Sequence, residues 1–253
     1  GGHWQQALSL LDGLREARLE ADVIIYNAAV STCAKGGEWR HALALFAALS
    51  EEKLQPTVIS YNAGISACEK CWQWQHALLM VDEMKGSNCD LDVISYSAVI
   101  CACEKGGRWD QALALLRDMV NTKSELDVVV YSAGISACDK GGQWQHALSL
   151  ISEMRKSDIE PNVVSYNAGV SACEKSSHWQ QALFLLSGFQ EVKLERDGTS
   201  YSIGLGACKQ GGRRQQALAL LRGTELLQLQ CWSRRRRKGH RPLPPPPLSP
   251  SSS

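Results

Sequence analysis

Along most of the chain, apolar residues fall in two alternating stripes separated by short polar breaks. Between Val128 and Asn162 the first stripe is Tyr131, Ile135 and Cys138, spaced four then three, with Ala137 beside them. That is one face of a short helix. Gly141-Gly142 stops it, because glycine takes the left-handed conformation that closes a helix C-terminus. A second stripe follows at Trp144, Ala147, Leu148, Ile151 and Met154. Ile159-Glu160-Pro161-Asn162 is a linker, and its proline prevents the second helix from running on. The pattern predicts a hairpin of two helices, each about 12 to 14 residues and so about 20 Å long.

The hairpin recurs. Tyr26, Tyr61, Tyr96, Tyr131, Tyr166 and Tyr201 each stand 35 residues apart, as do Cys33, Cys68, Cys103, Cys138, Cys173 and Cys208. Trp4, Trp39, Trp74, Trp109, Trp144 and Trp179 keep the same period. A fixed period of this length marks a repeat array. One hairpin cannot bury its own apolar faces, whereas stacked neighbours can. The expected fold class is therefore all-α, a solenoid of stacked helix-turn-helix hairpins. Residues 1–22 read as a partial repeat, a second helix and linker without the first helix. Five full repeats follow over 23–197, at 23–57, 58–92, 93–127, 128–162 and 163–197. A degenerate sixth spans 198–231, with Arg214 in place of the tryptophan, and 232–253 form a basic, Pro/Ser-rich tail expected to be disordered. The chain opens inside a unit and without Met, so it reads as a fragment. The Gly-Gly turn becomes Cys71-Trp72 and Ser176-Ser177 in two repeats, which predicts poorer capping there.

Composition narrows the chemistry. No apolar run approaches the ~18 residues that span a bilayer, so no membrane partner is expected. The tail holds six Lys/Arg and no acid, which leaves 21 basic against 26 acidic residues, a balance of −5, for the rest. An array that binds nucleic acid through bulk charge is basic, so any such role here requires cations gathered on one face. The tail itself reads as a solvated segment, a basic patch for import or nucleic acid, or a polyproline ligand for a protein partner. The in-register cysteines read as small buried residues rather than a disulfide framework, since stacked helices lie about 8–10 Å apart. Cys68-Glu69-Lys70-Cys71 has metal-site spacing but no second pair at finger distance, so neither metal nor cofactor is expected. His41, His76 and His146 share one position, away from any nucleophile, and are expected at the surface. With no phosphate loop and no paired acid cluster, the chain does not read as an enzyme.

Tyr-Asn-Ala near the start of the unit, Cys-Glu-Lys-Gly-Gly at its turn and Ala-Leu-x-Leu in its second helix closely resemble the pentatricopeptide repeat family. The resemblance covers residues 1 to about 222, and the 35-residue spacing separates it from the 34-residue tetratricopeptide repeat. It implies a right-handed α-solenoid that binds single-stranded RNA, with about one base read per repeat by two or three side chains. It also implies a role in a mitochondrion or chloroplast. The motif H-x-E with a downstream P-C-x-x-C, which marks the deaminase extension of some members, does not occur.

Carried over residue by residue, the family's reading positions are the fifth and the last of each repeat. The pairs are Asn27/Thr57, Asn62/Asp92, Ser97/Asp127, Ser132/Asn162 and Asn167/Asp197. Their amides, hydroxyls and carboxylates suit donor–acceptor pairing with a base edge, and Asn and Ser inside a helix are not there for propensity. The competing reading of the last position is a helix N-cap; the two roles can coexist. The second position (Ile24, Ile59, Ile94, Val129 and Val164) wedges between bases in the family, or else is inter-repeat core. Lys35, Lys70, Lys105, Lys140 and Lys175 form a ladder at the thirteenth position, suited to phosphate contact or to the helix dipole. The family's two-residue code gives 5′-YUGAU-3′. The leading expectation is a monomeric RNA-binding adaptor in organellar RNA processing, stability, splicing, editing or translation. The alternative is a protein-binding scaffold, since α-solenoids also present grooves to peptides.

Overall fold

The computed structural model describes residues 3–17, 21–122, 124, 126–191, 197–215, 217, 218 and 220. Among them run twelve helices and no strand. They are α1 (His3–Glu16), α2 (Val23–Gly36), α3 (Trp39–Glu51), α4 (Val58–Lys70), α5 (Trp74–Gly86) and α6 (Val93–Lys105). Then follow α7 (Trp109–Asn121), α8 (Val128–Lys140), α9 (Trp144–Lys156), α10 (Val163–Lys175), α11 (Trp179–Glu191) and α12 (Gly198–Gln210). The tail from 232 and most of the second half of the sixth repeat lie outside the described residues.

The even-numbered helices α2 to α12 open their repeats and pack one upon the next. Each odd-numbered helix from α3 to α11 packs against the first helix of its own repeat and that of the following one. Among the described residues the odd-numbered helices meet one another through side chains alone, as where Trp39 meets His76 and Lys85 meets Asp118.

The core is the repeated frame. Tyr26, Tyr61, Tyr96, Tyr131 and Tyr166, the six in-register cysteines, and Met84, Met119 and Met154 are all buried. Their burial at full removal from water stabilises by roughly 1.5–3 kcal/mol per large side chain. The cysteines are free thiols where described, and burial pushes Cys68, Cys103 and Cys138 up to about 12. They are packing groups, as expected.

The turn departs from expectation. Only its second residue is left-handed, at φ 78° for Gly37, 69° for Gly107, 66° for Gly142 and 64° for Gly212. The first glycine has ordinary backbone but no room: a Cβ on Gly106 would lie 2.2 Å from Cδ1 of Trp74, and one on Gly141 2.2 Å from Cδ1 of Trp109. The two glycines thus answer two demands, close approach of the preceding repeat's tryptophan and a positive φ. Where they are lost, Trp72 and Ser177 still take φ 62° and carry the strain.

The tryptophans also correct the histidine expectation. His41 is exposed, but His76 and His146 are half-buried against the tryptophan of the preceding repeat. Ring centroids are 4.9 Å apart for Trp39–His76, 5.7 Å for Trp109–His146 and 4.0 Å for Trp144–His178. These rings are inter-repeat packing rather than surface.

Candidate nucleic-acid interface

The first helices begin with a side-chain cap supplied by the last residue of the preceding repeat. Asp22 Oδ1 accepts from the Ile25 amide at 2.9 Å, and Asp92 Oδ1 from Ser95 at 2.7 Å. Asp127 accepts from Val130 at 2.8 Å, Asn162 from Ser165 at 2.9 Å and Asp197 from Ser200 at 2.8 Å. Thr57 caps α4 in a capping box with Ser60. The N-cap role is therefore filled at every last position, and what else those side chains do is decided by their remaining lone pairs.

Those lone pairs face the fifth-position residues of the same repeat. Asn62 Nδ2 donates to both oxygens of Asp92, at 3.1 and 3.0 Å, and Asn167 Nδ2 donates to Asp197 Oδ1 at 3.1 Å. The fold thus brings together two residues 30 positions apart in these two repeats. Ser132 differs: its hydroxyl donates to the Val128 carbonyl at 2.6 Å and lies 3.4 Å from Asn162 Oδ1. Asn27 is half-buried and its Oδ1 has no partner, while Ser97 makes no hydrogen bond to Asp127.

Burial alone would raise the carboxyls of Asp92 and Asp197. The hydrogen bonds they accept outweigh it, from the Ser95 and Ser200 amides and hydroxyls and from the Asn62 and Asn167 amides. Both carboxyls therefore sit below the ordinary aspartate value and stay ionised at neutral pH.

Beside each pair stands the second-position aliphatic. Ile24, Ile59, Ile94, Val129 and Val164 are 75%, 69%, 65%, 55% and 57% exposed, so they are not inter-repeat core. The exposed aliphatic and the fifth-position member of the polar pair are three residues apart on one helix, and so share a face. The thirteenth position lies eleven residues further along the same helix, close to three full turns, and so on the same side and about 16 Å away.

The lysines there are not a bare cationic line. Lys105 Nζ pairs with Glu69 Oε1 at 2.6 Å, Lys140 with Glu104 Oε1 at 2.7 Å and Lys175 with Asp139 Oδ1 at 3.0 Å. Each carboxylate is the twelfth residue of the preceding repeat. That position is Ala34 for Lys70, which offers no carboxylate, and Lys35 and Lys70 are exposed. Sequence reading missed this pairing, although the 36-residue offset between Glu69 and Lys105 recurs in the next two repeats. Surface pairs of this kind stabilise by only about 0–1 kcal/mol and can exchange for another anion. Among the described residues no group of acidic, His and Cys side chains could hold a metal, and no helix is long and apolar enough to cross a membrane.

Comparison with known proteins agrees with this geometry. The pentatricopeptide repeat domain model matches residues 9–70 and 114–175, the PPR repeat family 56–105 and the PPR repeat 94–122, so the matches run unbroken over 9–175. No curated protein matches significantly. Among solved structures, the pentatricopeptide repeat protein PPR10 from maize superposes with a TM-score of 0.68 at 23% identity, over 96% of this chain and 39% of that one. PPR10 in complex with an 18-nt psaJ RNA element gives 0.60 at 24% identity, over 95% of this chain and 32% of that one. The PPR domain of Arabidopsis thaliana protein-only RNase P 1, in complex with tRNA, gives 0.60 at 14% identity over 64% of this chain and 86% of that one. The chain spans well under half the length of the PPR10 chains. With its 35-residue period, stacked hairpins and unbroken run of repeat matches, the chain belongs to the pentatricopeptide repeat family.

Proposed function

We propose that this chain is a binding module for single-stranded RNA that reads about one base per repeat. The observation that carries the reading is the juxtaposition of an exposed aliphatic with a donor–acceptor pair, at Ile59 with Asn62 and Asp92 and at Val164 with Asn167 and Asp197. An aliphatic that stands free can insert between two bases, and the polar pair beside it meets a base edge. Stacking on aromatic side chains contributes roughly 1–3 kcal/mol per base, and an aliphatic contributes less. The relatives PPR10 and protein-only RNase P 1 were solved with an RNA element and with tRNA, which supports an RNA ligand.

The pairs Asn27/Thr57, Asn62/Asp92, Ser97/Asp127, Ser132/Asn162 and Asn167/Asp197 give 5′-YUGAU-3′ by the family's code. Lys35 and Lys70 are the cations free to contact phosphate directly, and Lys105, Lys140 and Lys175 do so by exchanging a carboxylate for a phosphate. The module acts in organellar RNA metabolism, in a mitochondrion or chloroplast, by occupying or presenting a short site. The protein-scaffold reading draws on the acidic balance of the array and its paired lysines.

The test is a titration of the full chain, and of a variant with its six tail cations neutralised, against a YUGAU oligonucleotide and a scrambled control at two salt concentrations. Selective binding that survives loss of the tail charge is the expected result. Binding that disappears with the tail charge assigns RNA affinity to the polybasic segment and favours the scaffold.

A further inference from the structure

The serine at the third position of a repeat is nearly inaccessible: Ser60, Ser95 and Ser165 are 0% exposed and Ser200 is 1% exposed. A buried hydroxyl is costly unless it is hydrogen-bonded. We propose that it is a positioning residue for base selection in the repeat before it, a role that rests on the RNA-reading proposal above.

Ser95 Oγ lies 2.5 Å from Asn62 Oδ1 and 2.8 Å from Asp92 Oδ1. Ser200 repeats the arrangement at 2.6 Å from Asn167 Oδ1 and 2.8 Å from Asp197 Oδ1. An ionised carboxylate only accepts, so the end of the amide facing Asp92 is the nitrogen. The carbonyl end must then face Ser95, whose single hydrogen lies between that carbonyl and Asp92 Oδ1 and is shared by them. A planar amide held at one end swivels about that bond; held at both ends it has one orientation. What remains for a base is one N–H and one carbonyl lone pair, in fixed places. A base edge with its donor and acceptor exchanged meets like groups and leaves them unpaired.

The other boundaries lack this double hold. Val130 stands where a serine would face Ser97, and it has no hydroxyl. Ser60 is turned to Thr57, with its Oγ 3.2 Å from Thr57 Oγ1, which leaves Asn27 Oδ1 without a partner. Ser165 lies 2.8 Å from the Ser132 hydroxyl, which itself bonds its own helix. The second and fifth bases of the site are thus read more strictly than the first and third.

The experiment measures binding of the full chain to oligonucleotides in which either the second or the fifth base is varied, for wild type, Ser95→Val, Ser95→Thr and Ser200→Val. Valine already occupies this position at Val130, fully buried, so the fold accommodates it. Loss of one such hydrogen bond is expected to lower the second-base preference of Ser95→Val about three- to tenfold. Its fifth-base preference stays unchanged, and Ser95→Thr, which keeps the hydroxyl, retains both. Ser200→Val shows the reciprocal pattern. A Ser95→Val variant that keeps its second-base preference, or loses affinity for all oligonucleotides alike, overturns the positioning role while leaving RNA reading intact. A wild type without base preference overturns both.

Discussion

The repeats at 58–92 and 93–127 share one packed frame. Tyr61 and Tyr96, Cys68 and Cys103, and Met84 and Met119 are each at most 2% exposed. Their edges diverge at three places. The first turns on Cys71-Trp72 and holds Asn62 between Asp92 and Ser95; the second turns on Gly106-Gly107 and carries Ser97, Asp127 and Val130 at the corresponding positions. Lys70 has Ala34 at the position where Lys105 has its partner Glu69. The frame is what stacking requires of every repeat, and the edge is where a repeat can differ without unfolding its neighbours.

The largest expected effect tests the sameness of the frame. Met84→Ala and Met119→Ala should each cost about 2–5 kcal/mol, read as similar falls in denaturation midpoint. Markedly unequal losses would mean that the frames are not equivalent. Next come the caps. Asp92→Ala should cost about 1–2 kcal/mol and Asp127→Ala less, because only Asp92 also holds an amide. The Asp92 carboxyl is lowered in the folded state, so its contribution is complete above the unfolded aspartate value near 3.8 and fades as pH falls through the lower folded value. Denaturation of wild type and Asp92→Asn should accordingly converge below that range.

The turn gives a smaller effect of opposite sign in the two repeats. Trp72→Gly should stabilise by up to about 1 kcal/mol by relieving its positive φ, and Gly107→Ala should destabilise by a similar amount. A Trp72→Gly variant that melts lower would show that the indole packing outweighs the strain. The smallest change in stability belongs to the lysines. Glu69→Gln should leave the midpoint almost unmoved while steepening the salt dependence of RNA binding by about 0.7, as Lys105 becomes free to meet a phosphate. An unchanged slope would take Lys105 out of the RNA path.

Much of this was legible in the sequence because it is local. The Tyr131, Ile135, Cys138 spacing gives α8, the residue before it gives its cap, and Trp144 opens α9 where the second stripe begins. What was not legible depends on stacking. Ser95 meets Asn62 across 33 residues, Lys105 meets Glu69 across 36, and His76 meets Trp39 in the repeat before it. No helix-period argument reaches across that boundary. The first turn glycine was assigned a backbone role for the same reason, since the tryptophan that excludes its side chain belongs to another repeat.

The most direct measurement converts one repeat's edge into its neighbour's. Asn62→Ser gives the second site the Ser/Asp pair that the third site carries as Ser97/Asp127. Binding would be compared for oligonucleotides with uracil or guanine as the second base, with the other bases held fixed. The account predicts that preference moves from uracil to guanine at that base alone. A variant that keeps its uracil preference, or that loses affinity for both oligonucleotides equally, would contradict base reading by these positions.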